Sequence, residues 1–184
     1  MTLVRDQNAT DTGSTSEVCW WRSVPSPIGD LAVAGDRSAL RHVRLPGTWR
    51  ETDLPAAWER GDGELDEAAA QLAEYFAGER TEFTLALAPR GTAFQQRVWW
   101  ALADIDFGAT ATYGEIAATV GNPRASRAVG MANNRNPIAL FIPCHRVIGA
   151  NGSLTGYGGG IEMKSWLLAH EQAVLAARRQ ATVA

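Results

Sequence analysis

From Val18 to Leu45 the chain alternates short apolar segments with turn residues, Pro27-Ile28-Gly29-Asp30 and Gly35-Asp36-Arg37-Ser38, which predicts strands joined by tight turns. The period then changes. Leu65, Ala68, Ala69, Leu72 and Phe76 fall at helical spacing, and Gly78 supplies a helix stop. Thr81 to Ala88 reads as one more strand, and Pro89-Arg90-Gly91 is the natural boundary of this α/β half.

The second half opens on Thr92-Ala93-Phe94-Gln95, a capping box, with Phe94, Val98, Trp99 and Leu102 on one helical face. Thr112-Tyr113-Gly114-Glu115 is a second box, beginning a short helix that runs to Val120 and stops at Gly121. Asn122 and Pro123 suit the cap and first position of the next helix, which carries Arg124, Arg127, Ala128 and Val129 and ends before Asn136-Pro137. Two short helices joined through Gly121-Asn122 predict a helix-turn-helix or an ordinary helical hairpin. Phe141 to Ile148 is a β-type run interrupted by Pro143-Cys144-His145-Arg146. A turn at Asn151-Gly152, the loop Gly156-Tyr157-Gly158-Gly159-Gly160 and an amphipathic helix from about Ile161 to Val174 complete the pattern. The expected division is a flexible tail over 1–16, an α/β domain over 17–90, a second domain over 91–175 and a frayed tail over 176–184.

Composition narrows the classes. A hydrophobic fraction of 46% with seven tryptophans supports a buried core. No apolar run approaches the roughly 20 residues of a membrane span, and the polar first residues do not read as a secretory signal. The only cysteines, Cys19 and Cys144, are far apart, which favours reduced thiols in a cytoplasm. Neither C-x₂-C nor H-x₃-H spacing occurs, so no structural metal is expected. The net charge of −3 hides a segregation. Between Asp106 and Glu162 the only acid is Glu115, against Arg124, Arg127, Arg135 and Arg146, a balance that suits a phosphate-rich partner or a solvated face.

Cys144 is the residue with chemical potential. Only a thiolate is a strong nucleophile, and an ordinary thiol near 8.5 is mostly protonated at neutral pH. His145 and Arg146 follow directly, yet neighbours in a regular strand face opposite ways, so cooperation requires an irregular backbone or a bridging water. Glu171 shares the stripe of Leu167, Leu168, Val174 and Leu175 on the last helix. A carboxylate there is costly unless paired, and an imidazole N–H from His145 would pair it; the alternative is a surface ion pair at the stripe's edge. Cys19 reads as packing, and His42 and His170 read as surface residues.

These segments together resemble the O6-alkylguanine-DNA alkyltransferases. The resemblance runs through Phe94-Gln95-Gln96-Arg97-Val98-Trp99, Tyr113-Gly114-Glu115-Ile116-Ala117, Ser126-Arg127-Ala128-Val129-Gly130, Asn136-Pro137 through Ile148-Gly149, Gly156-Tyr157-Gly158-Gly159-Gly160 and Trp166 to Glu171, in order, over residues 91–172. It implies an RNase H-like α/β domain followed by a helical, winged-helix-like domain. It also implies an irreversible, stoichiometric transfer of the alkyl group from guanine O6 to Cys144, with thymine O4 adducts as second candidates and no cofactor. His145 would serve as base through a water, Glu171 as its orienter and Asn136 as support for the local turn. Tyr113 would donate to the guanine ring, the backbones of Cys144 and Val147 would read its amino group, and Tyr157-Gly158 would approach O6. Arg127 would fill the gap left by an extruded base, with small Ala128 and Gly130 allowing close minor-groove approach. The partner implied is duplex DNA containing alkylated bases, bound by a cytoplasmic monomer that needs neither membrane nor obligate protein partner. Gly158 stands where some members have serine. The zinc ligands and the cysteine-rich sensor domain of certain relatives are not evident, and Cys144 differs from the tryptophan of the alkyltransferase-like proteins. Two other readings stay open: a non-catalytic binding module for alkylated DNA, and a Cys-His hydrolase, for which the basic helix pair has no role.

Overall fold

The computed structural model describes residues 19–61 and 63–183, so the predicted N-terminal tail lies outside the described residues. The chain forms two compact units, one ending at Arg90 and the other beginning at Gly91, except that residues 137–139 belong to the first.

In the first unit β1 (Cys19–Val24), β2 (Leu31–Gly35), β3 (Leu40–Arg44) and β4 (Trp58–Arg60) form one sheet in the order β3-β2-β1-β4. The turns read from Pro27–Asp30 and Gly35–Ser38 make β1, β2 and β3 an antiparallel meander, with Trp21 opposite Ala34 and Val33 opposite Val43. β4 joins β1 in parallel. Its three residues carry no alternation, and the sequence pattern did not predict it. All five residues of β2 are buried, as expected of a central strand covered on both faces. Helix α1 (Asp66–Ala77) buries Ala68, Gln71, Leu72 and Tyr75. It ends where the sequence predicts, at Gly78, whose left-handed φ of 77° lets its N–H return to the last turn.

The strand expected over 81–88 is not formed. Only Leu40 and Leu87 bridge, while the Thr84 N–H is taken at 3.0 Å by Gln71 Oε1 and the Thr84 hydroxyl accepts from Gln71 Nε2 at 2.8 Å. A buried glutamine thus satisfies backbone that a neighbouring strand would otherwise pair. On β3, Val43 also bridges Ile138, accounting for the assignment of 137–139 to this unit.

The second unit is helical. Both capping boxes are formed, at α2 (Ala93–Ala103) and α3 (Tyr113–Thr119). Helix α4 (Ser126–Asn134) starts later than predicted. Asn122 accepts the Ala125 N–H at 2.9 Å, so Pro123 and Arg124 sit in a tight turn before the helix. Trp99 is buried, and its indole N–H donates to the Ala132 carbonyl at 2.8 Å, fixing α4 against α2. β5 (Ala111–Thr112) pairs in parallel with β6 (Val147–Ile148). Helix α5 runs from Ile161 to Val183, beyond the end predicted near Val174.

His42 is not a plain surface residue, whereas His170 is a partly exposed one. His170 stacks on Trp166 with ring centroids 5.1 Å apart. His42 lies against Trp58 at 4.9 Å; burial, with Arg44, Arg41 and Arg90 adding to it, lowers its pKa to about 4. In the unfolded chain an ordinary histidine titrates near 6.5, so only the unfolded state takes up this proton between the two values. The stability from neutral His42 is complete above pH 6.5 and is lost as pH falls toward 4. The urea midpoint of the wild type should drop across that window. His42→Phe, which keeps the ring contact, should flatten the drop by on the order of 2 kcal/mol; an identical profile would place the dependence elsewhere.

Candidate active site

Pro143 determines the local backbone of the Cys144 segment. Its φ of −83° and ψ of 66° are those of an inverse γ-turn, with the Cys144 N–H donating to Ile142 O at 2.8 Å. One turn of 3₁₀ helix, Cys144–Arg146, follows before the chain enters β6. Just upstream, Leu140 holds a φ of 73°, uncommon for a side chain of this size. The strand-like run read over Phe141–Ile148 is therefore broken, and the irregular backbone needed for Cys144 and His145 to cooperate is present.

Glu171 is fully buried on α5, as its place in the apolar stripe suggested, and it is paired rather than at the edge. His145 Nε2 lies 2.8 Å from its Oε1. Arg146 binds it in a fork, Nε to Oε2 at 3.0 Å and Nη2 to Oε1 at 2.9 Å. The Gly108 N–H donates to Oε2 at 2.8 Å. Burial pushes this carboxyl up, but the hydrogen bonds from His145 and Arg146 and the Arg146 charge outweigh it and hold the pKa at about 2. An ionised carboxylate can only accept, so His145 carries its proton on Nε2 and offers Nδ1 as a base. Nδ1 is itself buried and has no hydrogen-bond partner in the protein. Burial lowers the His145 pKa, so the ring is neutral at rest.

Arg146 corrects the sequence reading. Counted there among guanidiniums facing a phosphate-rich partner, it is buried on Glu171, donates from Nη1 to Ile105 O at 2.6 Å and lies over the Phe107 ring. The arginines left on the surface of that stretch are Arg124, Arg127 and Arg135.

Cys144 is 5% exposed. Burial pushes its thiol up, opposed by the side-chain amide of Asn136, the charge of Lys164 and local N–H groups. Asn136 also donates from Nδ2 to Ile142 O at 2.7 Å, so it braces the turn that presents the sulfur. Lys164 escaped the sequence reading. It is fully buried on α5, donating from Nζ to Val147 O and, at 3.0 Å, to Thr155 O. The signal existed: Lys164, Leu167 and Glu171 share one helical face, so the spacing that singled out Glu171 also marks Lys164.

The β5–β6 pair brings Tyr113 to the site, because Tyr113 begins α3 directly after β5 while the Cys144 turn directly precedes β6. The Tyr113 hydroxyl donates to Thr155 O at 3.0 Å, and burial raises its pKa, so it stays protonated at neutral pH. Thr155 O thus ties the glycine-rich loop to both Tyr113 and Lys164. Gly156 follows with a φ of 61°, and a Cβ there would lie 3.4 Å from the Tyr113 hydroxyl. Tyr157 is buried, whereas Gly158 is exposed with open space around it. Val147 is buried, with its carbonyl engaged by Lys164. On α4, a Cβ at Gly130 would meet the Tyr113 ring at 3.7 Å, while Arg127 is exposed and Ala128 half-buried. Among the described residues no group of three His, Cys, Asp or Glu is placed to hold a metal ion.

Residues 20–89 match the family described as 6-O-methylguanine DNA methyltransferase, ribonuclease-like domain, and residues 93–173 match its DNA binding domain. The chain belongs to this family. It is 53% identical over 143 residues to the methylated-DNA–protein-cysteine methyltransferase of Methanosarcina acetivorans, covering 78% of this chain and 92% of that one. It is 52% identical over 154 residues to the protein of the same name from Mycobacterium bovis, covering 83% and 92%. A crystal structure of the Mycobacterium tuberculosis O6-methylguanine methyltransferase is 50% identical, covers 85% of this chain and 94% of that one, and superposes with a TM-score of 0.78. The M. tuberculosis protein solved in complex with DNA is 51% identical, covers 84% and 94%, and has the same TM-score.

Because Glu171 is the shared acceptor of two buried side chains, Glu171→Ala should cost about 3–5 kcal/mol by stranding the Arg146 charge. The double variant Glu171→Leu/Arg146→Met, which removes both charges, should lose less than Glu171→Ala alone. Urea unfolding followed by tryptophan fluorescence checks the ranking.

Proposed function

We propose that this protein repairs alkylated DNA by direct reversal, taking the alkyl group from O6-alkylguanine onto Cys144 and being consumed by the reaction. The observation that carries this reading is the buried sequence of contacts at one turn: a thiol braced by Asn136, an adjacent neutral imidazole with a free Nδ1, and an ionised Glu171 holding that imidazole from its other side. In the proposed reaction the thiol proton passes to His145 Nδ1 through a water. The sulfur lone pair forms the S–C bond as the C–O6 bond breaks, the electrons remain on guanine, and the resulting anion takes up one proton, balanced by the one that His145 gained and releases. Tyr113, protonated and close to the Cys144 loop, donates to the ring as charge develops there. Lys164 favours the thiolate over the thiol. The backbones of Cys144 and Val147 read the amino group, and Tyr157-Gly158 close over O6. The thioether product has no hydrolysing group beside it, so each molecule reacts once.

A guanine inside a duplex cannot reach a sulfur that is 5% exposed, so the base must be extruded at a cost of a few kcal/mol. Helices α3 and α4 form the binding element. Exposed Arg127 fills the vacated stack, while Ala128 and Gly130 keep the helix slim for the minor groove. Thymine O4 adducts are second substrates. In this reading the first unit is RNase H-like and the second winged-helix-like, and the protein works as a cytoplasmic monomer without cofactor or obligate protein partner.

Incubation with duplex DNA carrying O6-methylguanine should raise the intact-protein mass by one methyl group and no further, with the adduct on Cys144. Cys144→Ala should show no mass increase while retaining its DNA affinity. A binding module would give the affinity without the adduct, and a Cys-His hydrolase would turn over repeatedly on an ester. Arg127→Ala should slow transfer from duplex DNA by roughly ten-fold or more while sparing attack on the free alkylated base, the margin being set by the cost of extrusion. Equal losses on both substrates would remove the finger role.

A further inference from the structure

Helix α4 carries one feature that the reaction described above does not use. Met131 is 61% exposed, more than any other large hydrophobic side chain described. A single exposed apolar side chain is ordinary on a protein surface, but this one has exposed polar and basic residues, Arg127, Asn134 and Arg135, as its neighbours along the helix. Met131 lies four residues after Arg127, so the two project from the same face one turn apart. Asn134, exposed on that face, continues the row, and Arg124 and Arg135 stand exposed at the two ends of the helix.

The charge around this row is one-sided. Helix α4 has no acid, and the only carboxylate between residues 107 and 161 is Glu115, which is committed to the Thr112 N–H in its capping box. An exposed apolar side chain on a helix that has no acid of its own, carries Arg127 and is flanked by Arg124 and Arg135 fits a polyanion that also offers an apolar slot. The minor groove of duplex DNA does both: phosphates line its walls, and the stacked base steps at its floor accept apolar wedges, methionine among them. The row also lies near the site: Gly130, the residue before Met131, abuts the ring of Tyr113, which begins α3 beside the Cys144 turn.

We propose that Met131 is an apolar wedge which enters the minor groove next to Arg127 and helps to part the base step at the lesion. Arg127 supplies charge and length to occupy the vacated stack. Met131 supplies a flexible, polarisable side chain that is desolvated only when the duplex is opened against it, so its burial favours the opened state over the closed one. The wedge is a positioning residue for the extruded base and touches no reacting atom. The inference rests on the repair reading given above.

The test compares Met131→Ala and Met131→Leu with the wild type in single-turnover alkyl transfer, on O6-methylguanine duplex and on free O6-benzylguanine, with DNA affinity followed against salt concentration. Exposure of Met131 makes both variants safe for folding. Met131→Ala should lower the ratio of duplex rate to free-base rate by up to about ten-fold, as expected for an apolar side chain no longer buried. Met131→Leu should restore most of the ratio. The salt dependence should keep its wild-type slope in both variants, because an apolar contact displaces no counterions, whereas Arg127→Ala should make it shallower. An unchanged ratio in Met131→Ala, or a ratio that Met131→Leu fails to restore, overturns the wedge. A wild-type chain that transfers nothing overturns the repair reading and the wedge with it, whereas normal wild-type transfer with an indifferent Met131→Ala overturns the wedge alone.

Discussion

The site depends on a carboxylate that water cannot reach. Glu171 is fully buried, and an isolated charge in that position would neutralise itself or unfold its surroundings. It stays ionised because three residues converge on it from two parts of the second unit: His145 and Arg146 of the Cys144 turn, and the backbone of Gly108. Each bond has a structural consequence. Arg146 reaches on to Ile105, tying the segment after α2 to the Cys144 turn. His145 is held in one tautomer and one orientation. The energy that makes the site costly to bury is therefore also what makes it rigid, since neither Glu171 nor Arg146 can leave without stranding the charge of the other.

A second constraint is set by the backbone around Cys144. A regular strand through Phe141–Ile148 would place the thiol and the imidazole on opposite faces. The inverse γ-turn at Pro143 and the single 3₁₀ turn after it remove that alternation, and the two-residue pair of β5 with β6 restores regular structure immediately afterwards. That pair also positions Tyr113 at the head of α3. The glycine-rich loop is held by the Thr155 carbonyl, which accepts from Tyr113 and Lys164 together. Short pieces of secondary structure thus bring a tyrosine, a lysine and a cysteine from three separate segments to one place.

Much of this was legible in the sequence because it follows local rules. The capping boxes at Thr92 and Thr112, the stop at Gly78 and the buried place of Glu171 are consequences of spacing and backbone chemistry within a few residues. What was not legible depends on distant partners. The segment 81–88 has the composition of a strand, but Gln71 takes the Thr84 N–H. Arg146 has the composition of a phosphate contact, but Glu171 takes its guanidinium from 25 residues away. The late start of α4 reflects a competing turn at Asn122. Lys164 is a different kind of miss. Its periodicity placed it inside, and only the habit of reading lysines as solvated concealed it.

The neutral resting state of the site bears on why single-use chemistry suits it. Burial raises the thiol of Cys144 and lowers the imidazole of His145, so the proton stays on sulfur when no base is bound. A permanently ionised thiolate would react faster, yet it would also meet oxidants and stray electrophiles, and a protein that reacts once cannot recover from such an encounter. In the proposed reaction, thiolate formation becomes favourable only as guanine accepts charge from the breaking C–O bond. The groups that favour the anion, Lys164 and Asn136, are already in place and need no rearrangement at that moment. A multiple-turnover enzyme would need in addition a way to cleave the thioether. Direct reversal requires no such group.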